Sequence, residues 1–523
     1  MNKPIRKVAI ALGLLLLAIF LNLNFVQVVK GSDLRNHSGN RRVLLAEYAE
    51  PRGQIVVDGS AIATSKQTSD ELKYLRTYSN GPLYAPVTGY YSIAYDKSGI
   101  EDAEDPVLSG SDSRLFGSNL SDLLTGRNPK GGSVELTLSA DAQKAAYAAL
   151  TAAGARGAVV ALDPTTGAIL AAVSTPSFDP NKLASHSYDV QSKYWDSVDP
   201  NKYPEGPMLN RAFNTTYPAG STFKVIVTAA ALKAGITPDQ KIDAPQYYWP
   251  TGGSGPCPAD DSGGCIHNFT TSAGPEECQP GSATATLTYA LAKSCNTAFA
   301  ALAVEDLKVS ELADQAKAFG LDGDQLQIPL PVAESTIGPL DVITNDPAAL
   351  GQTAFGQRNV RVTPLQDAML AAAVANNGTL MTPFLVNKEL APNLSPLSVT
   401  SPTLLDMAMT PQVAGQLQDM MRQVIVAPEG TGSGANITDL PGVVVGGKTG
   451  TADTGVTSAA NSEPVNWFTG YALRDGQPKI AVAVAIENSN ELKVGGAVQS
   501  TTQASSQVAR AVMEAYLRAN GGD

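Results

Sequence analysis

From Val8 to about Val29 the chain is apolar except at Gly13, Asn22, Asn24 and Gln27. An uncharged run of that length reaches across a bilayer as a helix. It reads as an uncleaved transmembrane anchor, because a cleaved leader has a shorter apolar core and no small-x-small site closes this run ahead of Lys30. Lys3, Arg6 and Lys7 precede it, and positive charge on the short N-terminal side keeps that side in the cytoplasm and sends the rest of the chain outside. Beyond the anchor the apolar positions fall in short runs broken by turn residues. PRGQIVVDGSAIATS predicts a hairpin turning at Asp58 and Gly59. Residues 31–134 thus read as a β-rich spacer or interaction domain without a catalytic constellation.

After TGRNPKGG the pattern changes to a strand and then an alanine-rich helix from about Ala140 to Ala153. GAVVALDPTTGAILAAVSTP holds two apolar runs around Pro164, Thr165, Thr166 and Gly167, a hairpin pattern. Near the other end, GVVVGGKTGTAD and NWFTGYALRDGQPKIAVAVAIEN supply three more strands, the last two turning at Asp475 and Gly476. A final helix is predicted from about Thr501 to Arg518. Strands from both ends with helices between them predict one α+β domain over residues 135–523, its sheet assembled from distant pieces. The expected organisation is a cytoplasmic tip and anchor (1–30), the spacer (31–134) and this larger domain.

The chain has 523 residues, a net charge of -12 and a charged fraction of 16%. Length allows several domains with real cores, and the absence of a basic stripe argues against nucleic acid as a partner. An anionic substrate must be met by a few placed cations, because the overall field repels it. Cys257, Cys265 and Cys278 share one Gly- and Pro-rich loop, where an external location permits a disulfide. A zinc site with His267 lacks the paired Cys-x-x-Cys spacing, so no metal or other cofactor is expected. The pairing of the cysteines stays open.

Three short motifs carry candidate chemistry. In YPAGSTFKVIV, Ser221 sits at a predicted helix start with Lys224 three places on, so the two share a face. A serine hydroxyl needs a neighbouring base to act as a nucleophile. Phe223, Val225, Ile226 and Val227 surround Lys224 with apolar bulk, which favours a neutral amine. None of His37, His186 and His267 lies in a motif, which argues against a Ser-His-Asp triad. AKSCNTAFA places Ser294 and Asn296 on a helix-prone segment, with Cys295 between them read as a small buried hydrophobe. GGKTGTAD ends an apolar strand with Lys448, Thr449, Gly450 and Thr451. Asp453 and Glu429 read as loop carboxylates supporting the site, not as general bases.

The order Ser-x-x-Lys, Ser-x-Asn, Lys-Thr-Gly resembles that of penicillin-binding proteins and serine β-lactamases. The likeness to the transpeptidase domain of the former extends through GAVVALDPTTGAILAAVSTPSFDPN, NRAFNTTYPAGSTFK, VTPLQDAMLAAAVANNGT, EGTGSGA and NWFTGYA, from about residue 135 onward. PRGQI resembles the opening of the non-catalytic domain of class B members, and the whole is most like the short actinobacterial type. The resemblance implies a transpeptidase/serine β-lactamase-like fold, an antiparallel sheet flanked by helices plus a mostly helical subdomain. It implies Ser221 as nucleophile, Lys224 as its base, and Ser294 relaying a proton to the leaving amine. Asn296 would hold Lys224 and the substrate amide, Lys448 with Thr449 and Thr451 the substrate carboxylate, and the backbone N–H groups of Ser221 and Thr451 an oxyanion hole. A side chain at Gly450 should be costly if that strand runs close beside the ligand.

The implied reaction is D,D-transpeptidation of peptidoglycan stem peptides outside the membrane, with β-lactams trapping Ser221. A D,D-carboxypeptidase, a β-lactamase and a non-catalytic scaffold of the division machinery are the rivals. About 100 residues between anchor and catalytic domain are too few for a glycosyltransferase domain, so a separate membrane glycan polymerase and division proteins are the expected partners.

Overall fold

The structure is a computed structural model. It describes all residues except 1–2, 31–44, 46, 116–129, 259–261, 272–273, 453–463, 488–492, 495–496, 499–500 and 522–523. The N-terminal apolar run forms helix α1 (Lys3–Asn24), with none of its residues buried. The span Lys3–Gln27 is long and apolar enough to cross a membrane.

Strands β1 (Ile55–Val57) and β2 (Ser60–Gln67) form the predicted hairpin. Asp58 and Gly59 at its turn have φ of 46° and 70°, the pair of positive values a two-residue type I′ turn demands. Strand β3 (Tyr74–Tyr78) extends the sheet beside β2, and β4 (Ser133–Leu136) lies parallel to β1. This sheet is completed from far along the chain. Val386–Leu390 pairs with β4 and Pro396–Val399 pairs with Val386–Leu390, which gives six strands drawn from both sides of residue 134. Next to it, Glu101 is fully buried and accepts from Arg52 Nε and Arg76 Nε, each at 2.6 Å. Burial works to raise its carboxyl, but the Arg76 and Arg52 guanidiniums outweigh burial and hold it below the ordinary carboxylate value.

The larger domain is built around five antiparallel strands: β5 (Gly157–Leu162), β6 (Ile169–Thr175), β7 (Val443–Ala452), β8 (Val465–Arg474) and β9 (Gln477–Ile486). Their spatial order is β7-β8-β9-β5-β6, so the N-terminal hairpin of the domain docks against its C-terminal meander. Four helices matter to the site or to the sheet: α2 (Ala140–Ala152), α3 (Lys224–Lys233), α4 (Pro364–Ala375) and α5 (Thr501–Ala519). Helix α4 packs on β5, β8 and β9, whereas α2 and α5 pack together with α5 against β8 and β9. Alternate side chains divide accordingly. Ala158, Val160 and Leu162 belong to the core that contains α4, and Val159 and Ala161 to the core that contains Val508, Val512 and Leu517 of α5. Burial on both faces explains why GAVVAL and IAVAVAI are continuously apolar instead of alternating. The sheet presents the end of β7 to α3, and the site forms there.

Candidate active site

The chain enters the site through the short strand Tyr217–Pro218, paired with Arg361–Val362. It then turns at Gly220 (φ 54°), whose N–H bonds Gly356 O at 2.9 Å. Gly356 itself has φ 78°, and a Cβ there would stand 1.9 Å from Gly220 O, so two glycine backbones must meet to make this turn. Ser221 lies in a 3₁₀ turn, Gly220–Phe223, and α3 begins at Lys224. Because a 3₁₀ turn has three residues per turn, positions i and i+3 eclipse each other. Lys224 Nζ accordingly stands 2.9 Å from Ser221 Oγ. Lys224 is fully buried and Ser221 half-buried.

The second motif departs from the continuous helix its sequence suggests. A helix over Leu287–Lys293 stops at Ser294, which adopts a left-handed conformation (φ 68°, ψ 41°), and a new helix, Asn296–Ala301, starts after Cys295. This break turns both Ser294 oxygens toward Lys224: Nζ is 2.8 Å from the Ser294 carbonyl oxygen and 3.3 Å from its Oγ. Asn296 Oδ1 lies 2.7 Å from the same nitrogen, and Asn296 Nδ2 donates to the His267 carbonyl at 3.2 Å, which fixes the amide orientation. Cys295 is buried, as expected, and it is joined to Cys278, while Cys257 pairs with Cys265, which closes the open pairing and leaves no thiolate for the zinc alternative. The Cys278–Cys295 bridge staples the loop below the site to the residue between Ser294 and Asn296.

On the third wall, β7 brings in Lys448, fully buried, with Nζ 2.7 Å from Ser294 Oγ and 2.8 Å from Thr449 O. Thr449 Oγ1 shares a 2.5 Å hydrogen bond with Thr431 Oγ1 of the EGTGSGA loop, a link the sequence did not reveal. Thr451 is exposed, and its hydroxyl donates to Asn466 Oδ1 at 3.0 Å. Gly450 also has a reason to be glycine within the fold itself. A Cβ there would meet Trp467 Cβ at 3.1 Å, Thr222 Cγ2 at 3.2 Å and Ala219 O at 3.3 Å, so the strand presses on the turn that carries Ser221. Asp453 and His37 lie outside the described residues. His186 pairs with Asp70 at 2.7 Å, and His267 contributes its carbonyl, so the hydroxyl of Ser221 meets a lysine and not an imidazole.

Electrostatics separate the two lysines. Burial pushes Lys224 well below the ordinary lysine value, and the positive charge of Lys448 adds to the shift. Burial alone lowers Lys448 to about 7. A neutral amine has two N–H groups and one lone pair. The carbonyl oxygens of Asn296 and Ser294 can only accept, so they take the two N–H groups and the lone pair is left for the Ser221 O–H. Such an arrangement can remove the hydroxyl proton. It also places Ser294 Oγ between the two amines, where a proton can pass.

A model described as the penicillin binding protein transpeptidase domain matches residues 157–514, and one described as the penicillin binding protein A dimerisation domain matches residues 52–134. The chain is 43% identical to the peptidoglycan D,D-transpeptidase PbpA of Mycolicibacterium smegmatis, and 41% identical to that of Mycobacterium tuberculosis H37Rv, over 99% of each chain in both cases. It is similar to the solved ceftriaxone acyl-enzyme of penicillin-binding protein A from M. tuberculosis, with 41% identity and a TM-score of 0.79 over 91% of this chain and 100% of that one. The penicillin G acyl-enzyme of the same relative is similar at 40% identity and a TM-score of 0.78, over 90% and 100%.

Proposed function

Because the chain belongs to the penicillin-binding protein transpeptidase family, we propose that its Ser221–Lys224 pair carries an acyl-transfer reaction on the peptidoglycan stem peptide. The protein is a class B, actinobacterial PbpA-like peptidoglycan D,D-transpeptidase that β-lactams acylate. The observation that supports the assignment of residues is the 2.9 Å contact between a buried amine, which burial pushes toward its neutral form, and a half-buried hydroxyl.

In the first half-reaction Lys224 takes the Ser221 proton as Oγ attacks the carbonyl of the penultimate D-alanine. The N–H groups of Ser221 and Thr451 receive the oxyanion. The Lys448 ammonium binds the terminal carboxylate together with the exposed Thr451 hydroxyl, which turns its proton from Asn466 Oδ1 to the substrate, with Thr449 braced by Thr431 beside them. Ser294, bridging the two amines, delivers the proton to the departing D-alanine nitrogen. Asn296 holds Lys224 with its oxygen and lines the path of the substrate amide. The acyl group then passes to an amine of a neighbouring stem, with Lys224 taking the proton of that amine.

The N-terminal helix anchors the protein in a membrane. The tip before it is cytoplasmic and the rest lies outside, with residues 31–134 as a spacer that meets a membrane glycan polymerase and division proteins. Transfer to an amine, not to water, separates this reading from a D,D-carboxypeptidase. Full-length protein in detergent, given a synthetic stem pentapeptide and an amine acceptor, should form the cross-linked product, and Ser221→Ala should form none. Release of free tetrapeptide alone, at high turnover, would establish the carboxypeptidase instead.

A further inference from the structure

From Lys293 to Thr297 one helix ends and the next begins, and four of these five residues are held by a single stretch of chain that runs from His267 to Cys278. Lys293 Nζ pairs with Glu276 Oε2 at 2.8 Å, and Cys295 is bridged to Cys278. Asn296 Nδ2 donates to the His267 carbonyl at 3.2 Å, and the Thr297 N–H donates to Asn268 Oδ1 at 3.1 Å. Ser294, the fifth, faces the two lysines. The stretch thus forms a strap around the residues that hold Lys224.

Asn268 sits at the centre of this strap. It is 5% exposed, and both ends of its amide are used. Oδ1 accepts from the Thr297 hydroxyl at 3.3 Å as well as from its N–H, and Nδ2 donates to Glu276 O at 3.1 Å. The Thr297 N–H belongs to the first turn of its helix, where no earlier turn can receive it. The amide of Asn268 therefore ties the strap to the helix that carries Asn296, one residue beyond the carbonyl that Asn296 itself bonds.

That carbonyl decides which way Asn296 faces. A side-chain amide has nearly the same shape with its oxygen and nitrogen exchanged, so its partners orient it. With Nδ2 on His267 O, Oδ1 lies 2.7 Å from Lys224 Nζ. Turned over, the amide would point an N–H at Nζ, occupy the lone pair of the amine and withhold it from the Ser221 proton. We propose that Asn268 is a positioning residue for Lys224: it pins the His267 carbonyl to the helix of Asn296 and so keeps the amide oxygen, not the amide N–H, on the amine. The inference rests on the transpeptidase reading above and extends it to a residue outside the three motifs.

The test is a double-mutant cycle on acylation of full-length protein in detergent by benzylpenicillin, with the chemical step k2 resolved from the dissociation constant Ks. Asn268→Leu keeps the volume and loses the hydrogen bonds. We expect k2 to fall about tenfold, the scale of one misdirected buried hydrogen bond, with Ks unchanged. In Asn296→Asp both oxygens accept, so orientation no longer matters, and adding Asn268→Leu should change k2 by less than about twofold relative to Asn296→Asp alone. A loss of general packing would cost the same factor in both backgrounds, and that result overturns the proposal. So does a k2 for Asn268→Leu within about twofold of wild type. Asn268→Asp retains the acceptor for Thr297 and should keep k2 within about threefold of wild type, which supplies a second variant if the leucine protein shows no melting transition. A loss of about tenfold in a folded Asn268→Asp protein also overturns the proposal. Wild-type protein that forms no adduct on Ser221 would overturn the transpeptidase reading instead.

Discussion

The two lysines should give acylation a pH profile that depends on the charge of the substrate. Burial lowers Lys448 to about 7, so its ammonium is present below that pH and is lost above it. At pH 6 about 90% of the free enzyme then carries the cation, and at pH 8 about 10%. If that cation is what meets the substrate carboxylate, the second-order acylation constant for benzylpenicillin should fall about tenfold between pH 6 and 8. This constant reports the free enzyme, before a bound carboxylate can raise the lysine again. The methyl ester of benzylpenicillin, with no carboxylate, should show no such fall. Lys224 would act in the opposite sense, because burial and the Lys448 charge push it well below the ordinary lysine value and it loses its proton-accepting form only as pH drops. Stopped-flow acylation of full-length protein with the acid and the ester, from pH 5.5 to 9, makes the measurement. Parallel profiles for the two compounds, or an acid profile still rising at pH 9, would refute the role given to Lys448.

Two further outcomes follow from the architecture around the serine. Replacing Cys278 and Cys295 by alanine removes a cross-link with a sequence separation of 17, worth about 3 kcal/mol by loop entropy. The apparent melting temperature should fall by about 5 °C or more, and labelling by a fluorescent penicillin should slow because the bridge ends between Ser294 and Asn296; unchanged labelling would show that Ser294 holds its position without it. Gly356→Ala puts a Cβ 1.9 Å from Gly220 O at a residue with φ 78°, which should cost about 2–4 kcal/mol and abolish labelling at 37 °C; wild-type labelling of that variant would mean that the turn under Ser221 tolerates displacement.

Much of this was legible in the chain because the informative residues act locally. Asp58-Gly59 and Asp475-Gly476 mark their hairpins, since each pair must take positive φ. The runs GAVVAL and IAVAVAI announce strands covered on both faces. The spacing of Ser221 and Lys224 places two groups on one edge whether the turn is α or 3₁₀. Non-local features were hidden. Nothing in AKSCNTAFA signals that Ser294 leaves the helix, because the left-handed break is imposed by a disulfide to Cys278 and by two lysines far along the chain. The pairing of Val386–Leu390 with β4 joins segments some 250 residues apart and leaves no local trace. The crowding of Gly450 by Trp467, Thr222 and Ala219 was hidden as well, since these residues come near it only in the folded chain.

At the centre stands the claim that the uncharged amine of Lys224 draws the proton from Ser221. Mass spectrometry of full-length protein treated with penicillin should find the adduct on Ser221. Lys224→Ala, confirmed as folded by its circular dichroism, should acquire that adduct more slowly by a factor of about 100 or more. An alanine variant that reacts within a few-fold of the wild-type rate, or an adduct on any other residue, would contradict it.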